Sequence, residues 1–230
     1  MSDARARSIV RVGVIVAVAL VLAQSVADIL NIWLADLSVR AFDIDANNSV
    51  FDVLSPAASG VAALAASALS WRDAAHRVEA AALAALLVVA VVADTLQLGS
   101  SVVRDGSTQV LYVALLVGVA LAWWIARIGP SPARFAVRAG IVCLVSSIVV
   151  DTIFREINEP LHLWLRRGDA GHEVFTLIKQ GLELGGWVLV ASGLYAVAAA
   201  RWRSSEASAI VSSSAATVIG SLALPCTWSR

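Results

Sequence analysis

The sequence predicts an all-α polytopic membrane bundle with six crossings. Three observations carry this. The chain has 230 residues, 59% hydrophobic and 15% charged, where a soluble domain is roughly half apolar and about a quarter charged. Its mean hydropathy is +0.81. Apolar runs long enough to cross a bilayer recur from end to end, separated by short polar turns. Little chain is left for a soluble domain, so residues 1–203 read as one transmembrane bundle and 204–230 as a Ser-rich C-terminal tail.

Residues 1–8 are a short basic leader with Arg5 and Arg7, and the first helix is expected over 9–35. That run is longer than a signal-peptide core and lacks a clear small-x-small cleavage site, so it reads as a retained helix. An acidic loop follows, with Asp36, Asp43, Asp45 and Asp52. Ser55-Pro56 then has the form of an N-cap followed by proline at the first helical position, which predicts a second helix over 56–71. This helix is built mostly of Ala, Ser and Gly, a composition suited to close packing. Residues 72–77 read as a tight basic turn.

The third helix is predicted over 78–98 and the fourth over 109–128. Gly129-Pro130-Ser131-Pro132 breaks the chain before a fifth helix over 135–157. A polar loop over 158–173 holds His162 and His172 near Glu159 and Glu173, read as solvated loop residues rather than as a metal site. The sixth helix, 175–203, is the element around which the rest is expected to be arranged. It carries Lys179, the only lysine in the chain, with Glu183 one turn later. Gly181, Gly185, Gly186 and Gly193 would let neighbouring helices approach it. A weak seventh span over 209–224 is short, interrupted by polar residues and stopped by Pro225.

Loop arginines set the orientation. Arg5, Arg7, Arg11, Arg72, Arg77, Arg127, Arg134, Arg138, Arg201 and Arg203 fall at one set of helix ends. The acids and fewer arginines collect at the other. Both termini are therefore expected in the cytoplasm, with Trp71, Trp123, Trp124 and Trp202 in the inner interfacial belt and Trp33 and Trp164 in the outer one. Arginine dominates over lysine, and Ala and Val are abundant, as in a GC-rich bacterial genome. The expected location is thus a bacterial plasma membrane.

Three outward-running helices end alike, in Val26-Ala27-Asp28, Val92-Ala93-Asp94 and Val149-Val150-Asp151. This echo suggests three duplicated helical hairpins, although apolar-Asp-apolar also arises readily in a Val- and Leu-rich chain. Whatever its origin, Asp28, Asp94, Asp151, Lys179 and Glu183 fall at a similar depth in the outer leaflet. Gln24, Asn31, Gln97, Thr95, Thr152 and Gln180 join them there. Charges inside a membrane are costly, face the bundle interior and mark functional paths. The expectation is a polar cup open to the outside and closed below by Ala, Val and Leu. Within it, Lys179 and Glu183 can pair along their own helix.

An excess of acids fits binding or conduction of a cation, a proton or a small polar solute, with Asp28, Asp94, Asp151, Lys179, Glu183, Gln97 and Gln180 as the binding residues. Two alternatives stay open. One is a structural or accessory subunit that packs on a membrane partner, or on a second copy, through its small-residue helix faces. The other is an intramembrane enzyme. No HExxH, Gly-x-Ser-x-Gly or Cys/His pair is present at membrane depth, so no catalytic residue, metal ligand or cofactor is expected. Net charge is zero and there is no basic stripe, which argues against nucleic acid. The partner implied is the lipid bilayer.

Two segments carry a resemblance. Asp94-Thr95-Leu96-Gln97-Leu98-Gly99-Ser100 and Lys179-Gln180-Gly181-Leu182-Glu183-Leu184-Gly185-Gly186 resemble the third and last helices of a group of bacterial multi-pass proteins without an assigned function. In that group the third helix ends in Asp-Glu…Leu-His-Glu and the last opens with Glu-Glu-Gly-Leu-Glu-Leu-x-Gly. Asp94, Gly181, Glu183 and the small pair after it match. The second acid, the His-Glu pair and the leading Glu-Glu do not. The resemblance implies a six-helix bundle with its polar site on these two helices, but carries no metal site over to this chain.

Overall fold

The computed structural model describes residues 3–35, 39, 50–95, 108–158 and 170–222. Six α-helices account for nearly all of them: α1 Asp3–Ala35, α2 Val50–Arg72, α3 Arg77–Thr95, α4 Thr108–Arg127, α5 Ser131–Asn158 and α6 Ala170–Leu222. A short 3₁₀ turn, Ala74–His76, joins α2 to α3. Among the described residues there is no strand. Among the described residues, α1, α2, α3, α5 and α6 contain stretches long and apolar enough to cross a membrane; α4 is a 20-residue helix, of which Leu116–Arg127 is the apolar stretch described.

The outward faces agree with that reading. Val12, Ile15, Leu22, Leu64, Val89, Val142 and many other large apolar side chains stand exposed around the bundle. Apolar exposure so continuous suits lipid rather than water as the surrounding medium.

The helices begin earlier than the sequence predicts. α1 already starts at Asp3, within the basic leader. α2 starts at Val50, so Pro56 lies inside the helix rather than at its first position. A proline near a helix start forfeits a backbone bond without ending the helix, and the apolar residues before it continue the helical run. α6 starts at Ala170, which places His172 and Glu173 in its first turns rather than in a loop. At its other end α6 runs unbroken to Leu222. A separate crossing over 209–224 would need a reversal after Arg203, and the backbone there continues the same helix.

α6 is the hub. Its main contacts are with α5, α2 and α1, and it also touches α4; α3 packs on α2 and α4. Glycines explain how closely the chains approach. A Cβ on Gly140 of α5 would lie 2.6 Å from the Gly186 carbonyl oxygen and 2.8 Å from the Val190 nitrogen of α6. Gly193 continues this seam against the Ala133 carbonyl at 2.9 Å. The Gly181/Gly185 pair faces elsewhere, towards Val21 of α1, and further along Gly13 of α1 abuts Ser192. The four glycines singled out in the sequence thus serve two different seams.

The core is apolar: Leu69, Leu83, Ile125, Val137, Leu194 and Val197 are all buried. The ends of α2 and α4, the start of α5 and the Arg201–Trp202 stretch of α6 meet at one side of the bundle. There the Asp73 side chain accepts from the Ala75 amide at 3.2 Å, capping the 3₁₀ turn. Its Oδ2 also pairs with Arg201 Nε of α6 at 3.3 Å. Arg72 lies 4.0 Å above the Trp202 ring and Arg138 lies 4.5 Å from that of Trp123.

Candidate functional site

At the opposite side, α5 and α6 diverge from their glycine seam and their facing stripes become polar. On α6, His172, Phe175, Thr176 and Lys179 recur at helical spacing, so they share one face. On α5, Val150, Asp151 and Phe154 stand across from them. Together with Gln180 these residues line an open pocket of about 190 Å³.

An ion pair spans the pocket wall: Lys179 Nζ lies 2.9 Å from Asp151 Oδ1, and both side chains are one-third or less exposed (33% and 27%). The backbone is fixed beside it, because Ser147 Oγ donates to the Lys179 carbonyl at 3.0 Å. The apolar wall is aromatic. The Phe154 ring meets that of Phe175 at 5.1 Å between centroids, tilted by 44°. It meets His172 edge-on at 5.4 Å. These ring contacts tie the last turns of α5 to the first turns of α6 beside the ion pair.

The other expected site residues are distributed as follows. Asp28 is fully buried on α1, with Gln24 and Asn31 also buried one turn either side. Gln24 Oε1 and Asn31 Nδ2 have no hydrogen-bond partner among the described residues, while Asn31 Oδ1 accepts from the Val39 amide at 3.1 Å. The α1–α6 register, set by Gly13 against Ser192 and Val21 against Gly181 and Gly185, brings Asp28 near the level of Thr176. Glu183 is half-buried and lies, by helical spacing, on the stripe between Lys179 and Gly186 that faces α5. The backbone of Asp94 is in the last turn of α3; its side chain and Gln97 lie outside the described residues. Because α3 packs on α2 and α4, the three aspartates of the sequence echo do not stand on equivalent helices around α6.

The ion pair of Lys179 crosses to Asp151 of the neighbouring helix. Of the residues the sequence singles out, Asp151, Lys179 and Gln180 line the same pocket. Thr176, Phe154 and Phe175 are not singled out by the sequence, and His172, read there as a solvated loop residue, lies instead in the first turn of α6 and lines the pocket. The signal for them was the spacing 172, 175, 176, 179, obscured by starting the helix at 175. Among the described residues no group of His, Cys, Asp or Glu is placed to hold a metal ion.

Compared with protein families, curated proteins and solved structures, the chain matches none.

Proposed function

We propose that the protein is a six-crossing integral membrane protein of a bacterial plasma membrane. Both termini would be cytoplasmic, and a polar site at its outer end would bind or conduct a small polar solute, a cation or a proton. The observation that carries this reading is the Asp151–Lys179 ion pair in the wall of an open pocket between the last turns of α5 and the first turns of α6. Paired charges at membrane depth are costly to keep. A purely structural pair would be expected to be enclosed, whereas this one opens onto space shared with His172, Thr176 and Gln180. The site acts by binding rather than by catalysis, and the segment it shares with the bacterial group described above is the start of the last helix.

The accessory-subunit reading calls for a small-residue face on α2 left free for a partner. Ala62, Ala63, Ala65 and Ala66 are buried in the core shared with α3 and α6. The exposed side of α2 sets Val61, Leu64 and Trp71 beside the open Gly60, a mixed face less suited to close helix packing, which favours the outer-site reading. The test is binding and flux in proteoliposomes of oriented protein. Asp151→Asn and Lys179→Met should each lower solute or cation movement while helical content is retained. Unchanged movement in both folded variants would sink the proposal.

A further inference from the structure

We infer that the pocket between α5 and α6 takes a zwitterion: a small molecule or headgroup carrying an ammonium and an acidic anion a few bonds apart. The inference rests on the outer-site reading above and names its ligand class.

The argument begins with the field of the site. Asp151 and Lys179 present opposite charges 2.9 Å apart to the same cavity. A solute with one charge is attracted by one of them and repelled by the other at nearly the same distance, so its Coulomb terms largely cancel. A solute with both charges can lie antiparallel to the pair, its ammonium on the Asp151 carboxylate and its anion on the Lys179 ammonium. Both terms are then favourable. A dipolar site selects a dipolar guest.

The remaining walls fit the same guest. Gln180 and Thr176 supply neutral donors and acceptors beside Lys179. Phe154 and Phe175, with centroids 5.1 Å apart, form an aromatic wall beside Asp151, and aromatic faces attract ammonium groups, including methylated ones. Size sets the upper limit. A pocket of about 190 Å³ lies below the ~300–1,000 Å³ of drug-sized sites. That is room for an amino acid or a betaine. The same chemistry is carried by the phosphoethanolamine headgroup of a lipid, which would reach the pocket from the outer leaflet.

The test is a thermal-shift and equilibrium-binding series on the purified full chain in detergent. The probes are glycine betaine, γ-aminobutyrate and β-alanine, set against the single-charge analogues choline and propionate. A second arm places the protein in nanodiscs of phosphatidylglycerol with or without phosphatidylethanolamine. Expected is saturable binding of at least one zwitterion, at least tenfold tighter than choline or propionate. Binding of a free zwitterion in phosphatidylglycerol nanodiscs assigns a soluble ligand. Stabilisation by phosphatidylethanolamine alone assigns the headgroup. Lys179→Met should lower zwitterion affinity at least tenfold and bring it level with choline. If that variant fails to fold, Gln180→Leu, which leaves the ion pair in place, should weaken zwitterion binding at least threefold. Choline or propionate binding as tightly as the zwitterions overturns the inference while leaving the outer-site reading standing. Binding of no probe and no lipid effect overturns the inference, and if Asp151→Asn also leaves flux unchanged, the outer-site reading falls with it.

Discussion

Gly140 and Gly186 bring the backbones of α5 and α6 into direct contact: a Cβ on Gly140 would stand 2.6 Å from the Gly186 carbonyl oxygen. This seam sets the separation of the helices a few turns away, where Asp151 and Lys179 meet. Rotation of Val190 would clear its Cγ2, but the Gly186 oxygen and the Val190 nitrogen are backbone, so no side-chain rotation relieves the obstruction. Gly140→Ala should therefore destabilise the protein by about 1–3 kcal/mol through overpacking. Gly60→Ala is the control. Nothing lies within 4 Å of a Cβ there, and alanine in a helix is favoured over glycine by up to about 1 kcal/mol. Thermal unfolding in detergent should lower the midpoint for the first variant and leave it unchanged or raised for the second.

The Asp151–Lys179 pair is neither a surface nor a fully enclosed one, at 27% and 33% side-chain exposure. Its coupling should fall between those limits, at about 1–2 kcal/mol. A double-mutant cycle with Asp151→Asn and Lys179→Met reads it directly. The same cycle with Glu183→Gln in place of Asp151→Asn should give the smaller coupling, since Lys179 reaches across to α5. Equal couplings would contradict the cross-helix pairing.

How far this site was legible in the sequence depends on the kind of neighbour. Lys179 and Glu183 are visible as one-turn neighbours because helical spacing alone puts them together. Asp151 is brought to Lys179 by the packing of two helices, which spacing within either helix cannot supply. The hub role of α6 was readable because it concentrates the lysine and four glycines. The division of those glycines between a seam with α1 and a seam with α5 was not, because composition marks a close approach without saying to what. Helix starts were misplaced where polar residues such as His172 and Glu173 continue a helix beyond its apolar part.

At the end of the bundle away from the pocket the two partners of an ion pair are unequally buried. Arg201 is 36% exposed and Asp73 only 8%. Removing Arg201 strands a carboxylate with little access to water, whereas removing Asp73 leaves a guanidinium that can still reach it. Arg201→Met should thus cost more than Asp73→Asn, by about 1–3 kcal/mol, and asparagine retains the cap on the 3₁₀ turn. Midpoints of unfolding for the two variants should fall in that order; the reverse order would mean that the cap, not the ion pair, dominates at Asp73.

The proposed topology places Val39 outside and residues beyond Arg203 inside. In a Cys143→Ala, Cys226→Ala background, Val39→Cys should react with a membrane-impermeant thiol reagent added to whole cells. Ser213→Cys should react only after the membrane is opened. Labelling of Ser213→Cys in intact cells would reverse the assignment of the C-terminal segment.

α6 has 53 residues, about 80 Å at 1.5 Å per residue, against a hydrocarbon core of roughly 30 Å. Its first turns line the pocket, its middle is gripped by α1, α2 and α5, and its last turns extend well past Arg201. Such an element is a lever with its fulcrum in the glycine seams. A tilt of about 5° about those seams displaces a point roughly 30 Å further along by roughly 2.6 Å. Under the proposed reading, a rearrangement that drew the start of α6 towards α5 would be converted into a sideways displacement of its last turns, far from the pocket.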